Sequence, residues 1–270
     1  ACHWNGENVI DWSELADEIT AWIADYAQNA GIDTLVVGVS GGIDSAVTST
    51  LCAKTGMRTL VFNLPIHQAN SQYDLSNKHI EFLQQNWNNV GSHEIDLSEV
   101  FTAFENTVGE YNSNLTLANF RARLRMATLY NFAGLKEING IVVGTGNKVE
   151  DFGVGFFTKY GDGGVDISPI ADLYKSEVYA LAEALGIIQE IQDAAPTDGL
   201  WIDGRTDEDQ LGATYAELEW AMKEIENPSG REHSAREEEV LERYLELNKA
   251  NSHKMNPIPI FEMKNRQWVM

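Results

Sequence analysis

Apolar residues recur at two spacings along the chain, and each spacing predicts a different kind of element. Between residues 13 and 30 they recur every three or four positions, as on one face of an amphipathic helix. Asp11 and Glu14 have the spacing of an N-terminal capping box, and Gly31 is typical of a helix stop. Residues 34–39 form an almost continuous apolar run, which predicts a strand buried on both faces of a parallel sheet.

The two patterns then alternate along the chain. Further strands are predicted at 59–64, 93–97 and 140–145. Helices are predicted from the turn at 40–45 to Lys54 and at 73–87, 97–111, 116–136, 173–185, 215–226 and 235–249, and loops at 153–168 and 203–212. Strands separated by helices indicate a parallel sheet with helices on both faces. The expected fold is therefore α/β, a single doubly wound, Rossmann-like domain over residues 1–270.

Composition and charge narrow the classes of function. The chain has 41 acidic and 19 basic residues, a net charge of −22, which disfavours binding to nucleic acid or anionic membranes because both are polyanions. No apolar run approaches the ~20 residues of a membrane span, and no signal peptide is evident, so a cytoplasmic location is expected. Cys2 and Cys52 lack metal-type spacing, and both are expected to be structural.

The segment Ser40-Gly-Gly-Ile-Asp-Ser45 lies between a predicted strand and a predicted helix. Gly41 and Gly42 allow backbone amides to approach an anion, and the helix N-terminus favours phosphate. Asp44 would repel phosphate unless a cation lay between them, and Mg²⁺ binds carboxylate and phosphate oxygens together. No lysine follows Gly42, so the loop is not a Walker A motif, and it is not a G-x-G-x-x-G motif. A plain glycine-rich turn is the alternative interpretation.

This loop resembles the pyrophosphate-binding loop of the ATP pyrophosphatase superfamily, whose domains have an adenine nucleotide alpha hydrolase-like fold. Four further blocks are similar to ammonia-dependent NAD synthetases and occur in order at 117–126, 142–150, 155–166 and 195–198. The block at 155–166 is long and the most specific of them. The resemblance therefore extends across most of the chain.

The resemblance implies a carbon–nitrogen ligase that converts deamido-NAD, ATP and ammonia to NAD, AMP and pyrophosphate through an NAD-adenylate. The synthetase blocks begin by Val36, which leaves no room upstream for an amidase domain. The expected nitrogen source is therefore free ammonia or a separate donor protein. Two alternatives stay open: a pyrophosphate-loop enzyme that adenylates another acceptor, and a nucleotide sensor that retained the loop without catalysis.

The resemblance also assigns site residues. The implied ATP-binding residues are Gly38, Val39, Ser40, Gly41, Gly42, Ile43, Asp44, Ser45, Thr145, Lys175 and Thr197. The implied deamido-NAD contacts are Arg123, Lys159, Asp166, His253 and Lys254. Asp44 and Glu150 are the implied Mg²⁺ ligands, and Asp44 and Lys175 the implied catalytic residues. Glu150 could instead be a helix-start carboxylate, and Lys175 a surface lysine with a packed stem.

Three further expectations follow. Residues two positions apart do not share a helix face, so Arg123 is expected at deamido-NAD, and Arg121 and Arg125 in ion pairs or at a partner subunit. Relative to the family pattern, one residue is added before Gly155, and no site is assigned between residues 66 and 70. Family members of this kind are homodimers, which implies an interface formed by helices around residues 100–135.

Overall fold

A computed structural model of the chain describes residues 10–67, 70–194 and 206–262. Its centre is a four-stranded sheet in which all neighbouring strands are parallel. The strands are β1 (Thr34–Gly38), β2 (Arg58–Asn63), β3 (Val90–Glu94) and β4 (Gly140–Val142), and their order across the sheet is β3-β2-β1-β4. The chain thus winds outward from β1 to β3 and then crosses to the other side of β1. This crossing places a crevice between the carboxyl ends of β1 and β4, where ligands bind in such sheets.

Ten α-helices are assigned within the described residues. They are α1 (Trp12–Asn29), α2 (Ile43–Lys54), α3 (Asn70–Asn86), α4 (Ser98–Val108), α5 (Asn114–Ala133), α6 (Lys175–Ala184), α7 (Gln189–Gln192), α8 (Asp207–Leu211), α9 (Tyr215–Glu226) and α10 (Ala235–Met255). A π-helical turn, Lys148–Val154, follows β4. In the ranges that the structure covers, none of the helices combines the length and apolarity needed to span a bilayer.

Helices cover both faces of the sheet, which confirms the expected α/β class. Leu35 and Val37 of β1 pack with α1, α2 and α6, whereas Val36 packs with α4 and α5 on the opposite face. This alternation follows from the pleat, which directs successive side chains to opposite faces. A strand buried on both faces needs apolar residues that point both ways, and Leu35, Val36 and Val37 supply them, while the buried Thr34 hydroxyl donates to the Ile138 carbonyl. A separate cluster joins α9, α10 and the π-helical turn.

Two local predictions were wrong. The third strand lies at Val90–Glu94 rather than 93–97, because the apolar side chain of Leu97 is buried at the start of α4 instead of in the sheet. Within the predicted loop 203–212, the described part contains α8. Thr206 caps this helix through a capping box with Asp209, and Leu211 is buried, so local capping and burial order the segment.

A buried histidine packs against the helix that follows the loop at residues 40–45. His79 of α3 is fully buried, and its Nε2 lies 2.9 Å from Ser49 Oγ of α2. The Ser49 hydroxyl donates to the Ser45 carbonyl at 2.7 Å, so His79 Nε2 is the donor to Ser49 and Nδ1 carries the lone pair. Nδ1 has no hydrogen-bond partner in the described parts of the chain. Burial lowers the pKa of His79 from 6.5 to about 4.

This shift predicts an acid-dependent loss of stability. Between pH 6.5 and pH 4 the unfolded chain binds a proton at residue 79 that the folded chain does not, so stability falls as the pH falls. His79→Gln keeps a donor for Ser49 but does not titrate. As the pH falls from 7 to 4, the wild type should lose about 3 kcal/mol in free energy of unfolding that His79→Gln retains. Urea denaturation at both pH values measures this change, and a difference independent of pH would contradict it.

Candidate functional site

The loop between β1 and α2 is braced by its own serines. Ser45 Oγ accepts from the Ser40 amide at 3.1 Å and donates to the Gly42 carbonyl at 3.0 Å. The Ser45 hydroxyl thus holds the loop in place. Gly41 has a φ of +86°, a conformation that favours glycine. No side chain caps the N-terminus of α2, so its first amides can bind an anion.

The second wall of the site follows β4. Because β1 and β4 pair in parallel, with Val36 opposite Val142, the segments that follow them meet at one edge of the sheet. Together they line a cavity of about 600 Å³. The expected ATP-binding residues that line it are Gly38, Val39, Ser40, Gly41, Gly42, Ile43, Asp44, Ser45, Thr145 and Lys175. Thr197 lies outside the described residues.

Lys175 joins two carboxylates that are far apart in the sequence. Its Nζ lies 2.5 Å from Asp44 Oδ2 and 2.9 Å from Glu150 Oε1. Lys175 is the first residue of α6 and is only 3% exposed, so its interpretation as a surface lysine was wrong. Glu150 does lie in the first turn of the π-helix, as its interpretation as a helix-start carboxylate predicts. Its side chain also contacts Lys175.

Burial and neighbouring charges shift the pKa values of this cluster in opposite directions. Burial raises the pKa of Asp44, despite the neighbouring Lys175 ammonium. At Glu150 burial acts in the same sense, but Lys175 and a hydrogen bond from Tyr215 outweigh it and lower the pKa. The two carboxylates raise the pKa of Lys175 despite its burial. The lysine is therefore held in its charged form.

The sequence analysis missed two residues that position this cluster. Asn147 donates to Asp44 Oδ1 at 3.0 Å and accepts from the Glu150 amide at 3.1 Å, so it links the two carboxylate-bearing segments. Tyr215 of α9 donates to Glu150 Oε1 at 2.6 Å. An asparagine three positions before Glu150 is a typical N-cap, a signal that could have identified Asn147. No local signal marks Tyr215.

The segment before Gly155, where one added residue was expected relative to the family pattern, forms a π-helical turn. The Gly155 amide bonds to the Glu150 carbonyl, a five-residue span in place of the four of an α-helix. Such a turn accommodates one more residue while Glu150 still faces Lys175. A Cβ atom at Gly146 would collide with the Asp151 carboxylate, so the approach of the turn to the strand end requires glycine there.

Four of the five expected deamido-NAD contacts lie together. Arg123 Nε donates to the Lys159 carbonyl at 3.3 Å, and Lys159 Nζ donates to the His253 carbonyl at 2.8 Å. Lys254 Nζ donates to the Phe157 carbonyl at 2.7 Å. Asp166 is held elsewhere: it accepts from the Val142 amide at 2.7 Å and from the Tyr130 hydroxyl at 3.0 Å.

The other two arginines of α5 differ from each other. The Arg121 guanidinium lies 4.4 Å from the centroid of the Phe101 ring. Arg125 Nε donates to the Leu64 carbonyl at 2.9 Å, and the residue lines the cavity. No carboxylate of the described ranges forms an ion pair with Arg125, and the other expectation, contact with a partner subunit, stays a prediction.

The expectation that both cysteines are structural can be examined for Cys52. Cys52 is fully buried in the core against α1 and α6, and burial raises the pKa of its thiol. The expectation that Cys52 is structural is thus confirmed. Cys2 lies outside the described residues.

Asp44 and Glu150 suit a hard cation. Both supply oxygen ligands, and both reach one ammonium group, so they are close enough to share a small ion. Within residues 10–67, 70–194 and 206–262 no group of three or more potential ligands of the His, Cys, Asp or Glu type occurs. Two carboxylates nevertheless suit Mg²⁺, which is usually bound through one or two carboxylates, substrate phosphates and water.

Breaking this cluster should destabilise the fold. Lys175→Met leaves two carboxylates buried without their counter-charge, so the free energy of unfolding without Mg²⁺ should fall by about 3–5 kcal/mol. Lys78→Met removes the exposed pair with Glu190 and should have a far smaller effect. Introducing Asp44→Asn and Glu150→Gln together should reduce the cost of Lys175→Met. Urea denaturation measures all of these, and an equal effect of the two lysine substitutions would contradict the account.

Comparison with known proteins agrees with this site. The sequence model of the NAD synthase family matches residues 15–258. The NH(3)-dependent NAD(+) synthetase of Methanosarcina acetivorans is 35% identical over 260 residues, which cover 94% of this chain and 100% of the relative. The structure of NMN synthetase from Francisella tularensis superimposes with a TM-score of 0.83 at 32% identity, and the match covers 94% of this chain and 100% of that one.

A second similar structure is the NH3-dependent NAD synthetase from Campylobacter jejuni, with a TM-score of 0.77 at 25% identity. This match covers 94% of this chain and 100% of that one. The family match spans both walls of the cavity, from the loop after β1 to the end of α10. The chain belongs to the NAD synthase family.

Proposed function

We propose that this chain is an NH3-dependent NAD synthetase in which the loop Ser40–Ser45 binds the pyrophosphate of ATP. The enzyme forms the amide of NAD from deamido-NAD and ammonia and consumes ATP. The observation that carries the proposal is the meeting, in one cavity, of uncapped helix amides with the buried cluster of Asp44, Lys175 and Glu150. This combination suits a phosphate chain and the charge that develops when it is cleaved.

The first step activates the acceptor. A carboxylate oxygen of the nicotinate group attacks the α-phosphorus of ATP, an oxygen–phosphorus bond forms, and pyrophosphate leaves with the electrons of the broken bond. The product is a mixed anhydride, NAD-adenylate. In this step the amides after Gly41 bind the departing pyrophosphate, and the Lys175 ammonium offsets its negative charge. The protein contributes positioning and charge neutralisation rather than a covalent bond.

The second step forms the amide. Ammonia attacks the acyl carbon, AMP leaves with the electrons of the carbon–oxygen bond, and the new nitrogen releases one proton. The amidation is feasible because AMP is a much better leaving group than the oxide of a free carboxylate. Arg123, Lys159, His253 and Lys254 are proposed to hold the dinucleotide acceptor. The contacts of Lys159 with Arg123 and His253 support this, as does Lys254, which is the one of the four that lines the cavity. For Asp166, which the resemblance also assigns to the acceptor, its bonds to Val142 and Tyr130 support a positioning role.

Magnesium is the proposed cofactor, with Asp44 and Glu150 as its protein ligands. When bound, Mg²⁺ neutralises charge on the phosphate oxygens of ATP. Asn147 orients the Asp44 carboxylate by its hydrogen bond, and Tyr215 orients Glu150 in the same way. These two contacts let the chain present both carboxylates from different segments.

A mononucleotide acceptor is the second candidate. The structure from Francisella tularensis that superimposes well on this chain is an NMN synthetase. The same chemistry applied to nicotinate mononucleotide would yield NMN, because the reacting carboxylate is unchanged. An assay with both acceptors separates these activities by the ratio of their kcat/KM values.

Loss of Asp44 should abolish the reaction. Purified protein with ATP, Mg²⁺, ammonium and deamido-NAD should form NAD, AMP and pyrophosphate in equal amounts. Asp44→Asn should lower kcat by at least about 100-fold, because it removes a proposed ligand of the Mg²⁺ that neutralises charge on the phosphate oxygens. Asp25→Asn, on the exposed face of α1, should leave kcat unchanged. Activity with other acceptors but not deamido-NAD would contradict the proposed substrate, and ATP binding without AMP formation would indicate a sensor.

We also propose a homodimer, formed through α4 and α5. These helices and the segment between them expose Val100 (52%), Tyr111 (87%) and Leu115 (59%), which a partner could cover. Light scattering at micromolar concentration should give twice the chain mass of 30.1 kDa. Val100→Asp with Leu115→Asp should shift the mass toward one chain, because burying the introduced charges opposes association. A monomeric wild-type protein would contradict the proposal.

A further inference from the structure

Arg125 is held by a backbone carbonyl at Nε, and its terminal nitrogens have no polar partner among the described residues. Its Nε donates to the carbonyl of Leu64, which directly follows β2 and is buried. The two terminal nitrogens, Nη1 and Nη2, form no hydrogen bond or ion pair with the described residues. Their four N–H groups are therefore available to a ligand.

Among the described residues, no carboxylate contacts Arg125. The residue lines the cavity together with apolar side chains, including Met126 and Leu129 of the same helix. Burial, with a smaller contribution from the positive charge of Arg121, lowers the pKa of Arg125 to about 10, although Asp162 acts in the opposite direction. The guanidinium is thus still charged at pH 7. A partly buried cation without a contacting anion is costly, and a bound oxyanion would remove that cost.

The position of Arg125 relates it to the pyrophosphate loop. Leu64 follows β2, and β2 pairs with β1, so the Leu64 carbonyl that orients Arg125 lies beside the strand that leads into Ser40–Ser45. Both Arg125 and that loop line the same cavity. Helix α5, which carries Arg125, packs against β1 and β4. The guanidinium is therefore held on the sheet, on the opposite side of the loop from β4 and Thr145.

We propose that Arg125 is a substrate-binding residue whose guanidinium holds an oxyanion of the reacting pair. The planar fork of arginine matches the two oxygens of a carboxylate or a phosphate. This chemistry has two sources in the proposed reaction, the carboxylate of the acceptor and the α-phosphate of ATP, which become joined in the adenylate. The inference rests on the proposed function for the identity of these substrates.

The experiment compares two substitutions at Arg125 with a matched control. Arg125→Lys keeps the charge without the fork, and Arg125→Gln removes both. Arg58→Gln is the control, because Arg58 also donates to a backbone carbonyl, that of Glu137 at 3.0 Å, but does not line the cavity. Calorimetry measures the Kd of ATP and the Kd of deamido-NAD separately for each protein, and steady-state assays measure KM and kcat.

Arg125→Gln should weaken one of the two ligands by about 10-fold or more, Arg125→Lys should recover only part of that loss, and the control should bind as the wild type does. Weakened ATP binding identifies the phosphate as the oxyanion, and weakened deamido-NAD binding identifies the carboxylate. Wild-type affinity for both ligands, with unchanged kcat, in a folded Arg125→Gln protein would overturn the proposal. An equal loss in the Arg58 control would also overturn it.

Measurements of Tm with and without ligand distinguish a substrate-binding role of Arg125 from a purely structural one. If Arg125 only supported the fold, Arg125→Gln would lower the Tm without ligand and leave the ligand-induced rise in Tm unchanged. The proposal instead predicts that this rise becomes smaller for the affected ligand. Failure of the proposed function can be distinguished from failure of the Arg125 proposal. If the proposed function were wrong, the wild-type protein would bind ATP without forming NAD, and the measured Kd of ATP would still show whether Arg125 binds phosphate. In that case an unchanged Kd for ATP in Arg125→Gln would overturn the proposal.

Discussion

The buried contact of Lys175 with Asp44 and Glu150 is the interaction on which the site depends. It connects three segments that the fold brings to one edge of the sheet: the start of α2, the π-helical turn after β4 and the start of α6. Each carboxylate alone would be costly to bury, and the ammonium alone would be equally so. Together they fix the relative positions of the loop and the strand ends, and they keep ionised oxygen ligands beside the place where phosphate is expected to bind.

Three cations line the cavity although the protein as a whole is strongly acidic. The chain carries a net charge of −22, and Lys175, Arg125 and Lys254 line the cavity together with Asp44, Glu150, Asp151, Asp162 and Asp207. An acidic surface disfavours polyanions such as nucleic acids, whereas a small nucleotide interacts with the groups that line its cavity. Cations placed on separate elements therefore allow an acidic protein to select a compact anion. Net charge therefore bears on the class of partner but does not indicate where a ligand binds.

The sequence predicted the fold and the main loop because both depend on local patterns. Continuous apolar runs identify strands buried on both faces, and Ser40–Ser45 carries its glycines, serines and aspartate within six positions. Asn147 and Tyr215 were missed because their partners are 103 and 65 positions away, respectively. Arg121, Arg123 and Arg125 are equivalent in pattern, and only the packing of α5 shows that one lies on a ring, one at the Lys159 carbonyl and one in the cavity.

The most direct test is a crystal structure of the protein grown with ATP, Mg²⁺ and deamido-NAD in the absence of ammonia. Without the second substrate of the amidation, the reaction should stop after adenylation. The account predicts electron density for pyrophosphate against the amides that follow Gly41, with an adenylate in the same cavity and metal density at Asp44 and Glu150. A nucleotide bound elsewhere, with the loop empty and Lys175 still bridging the two carboxylates, would contradict it.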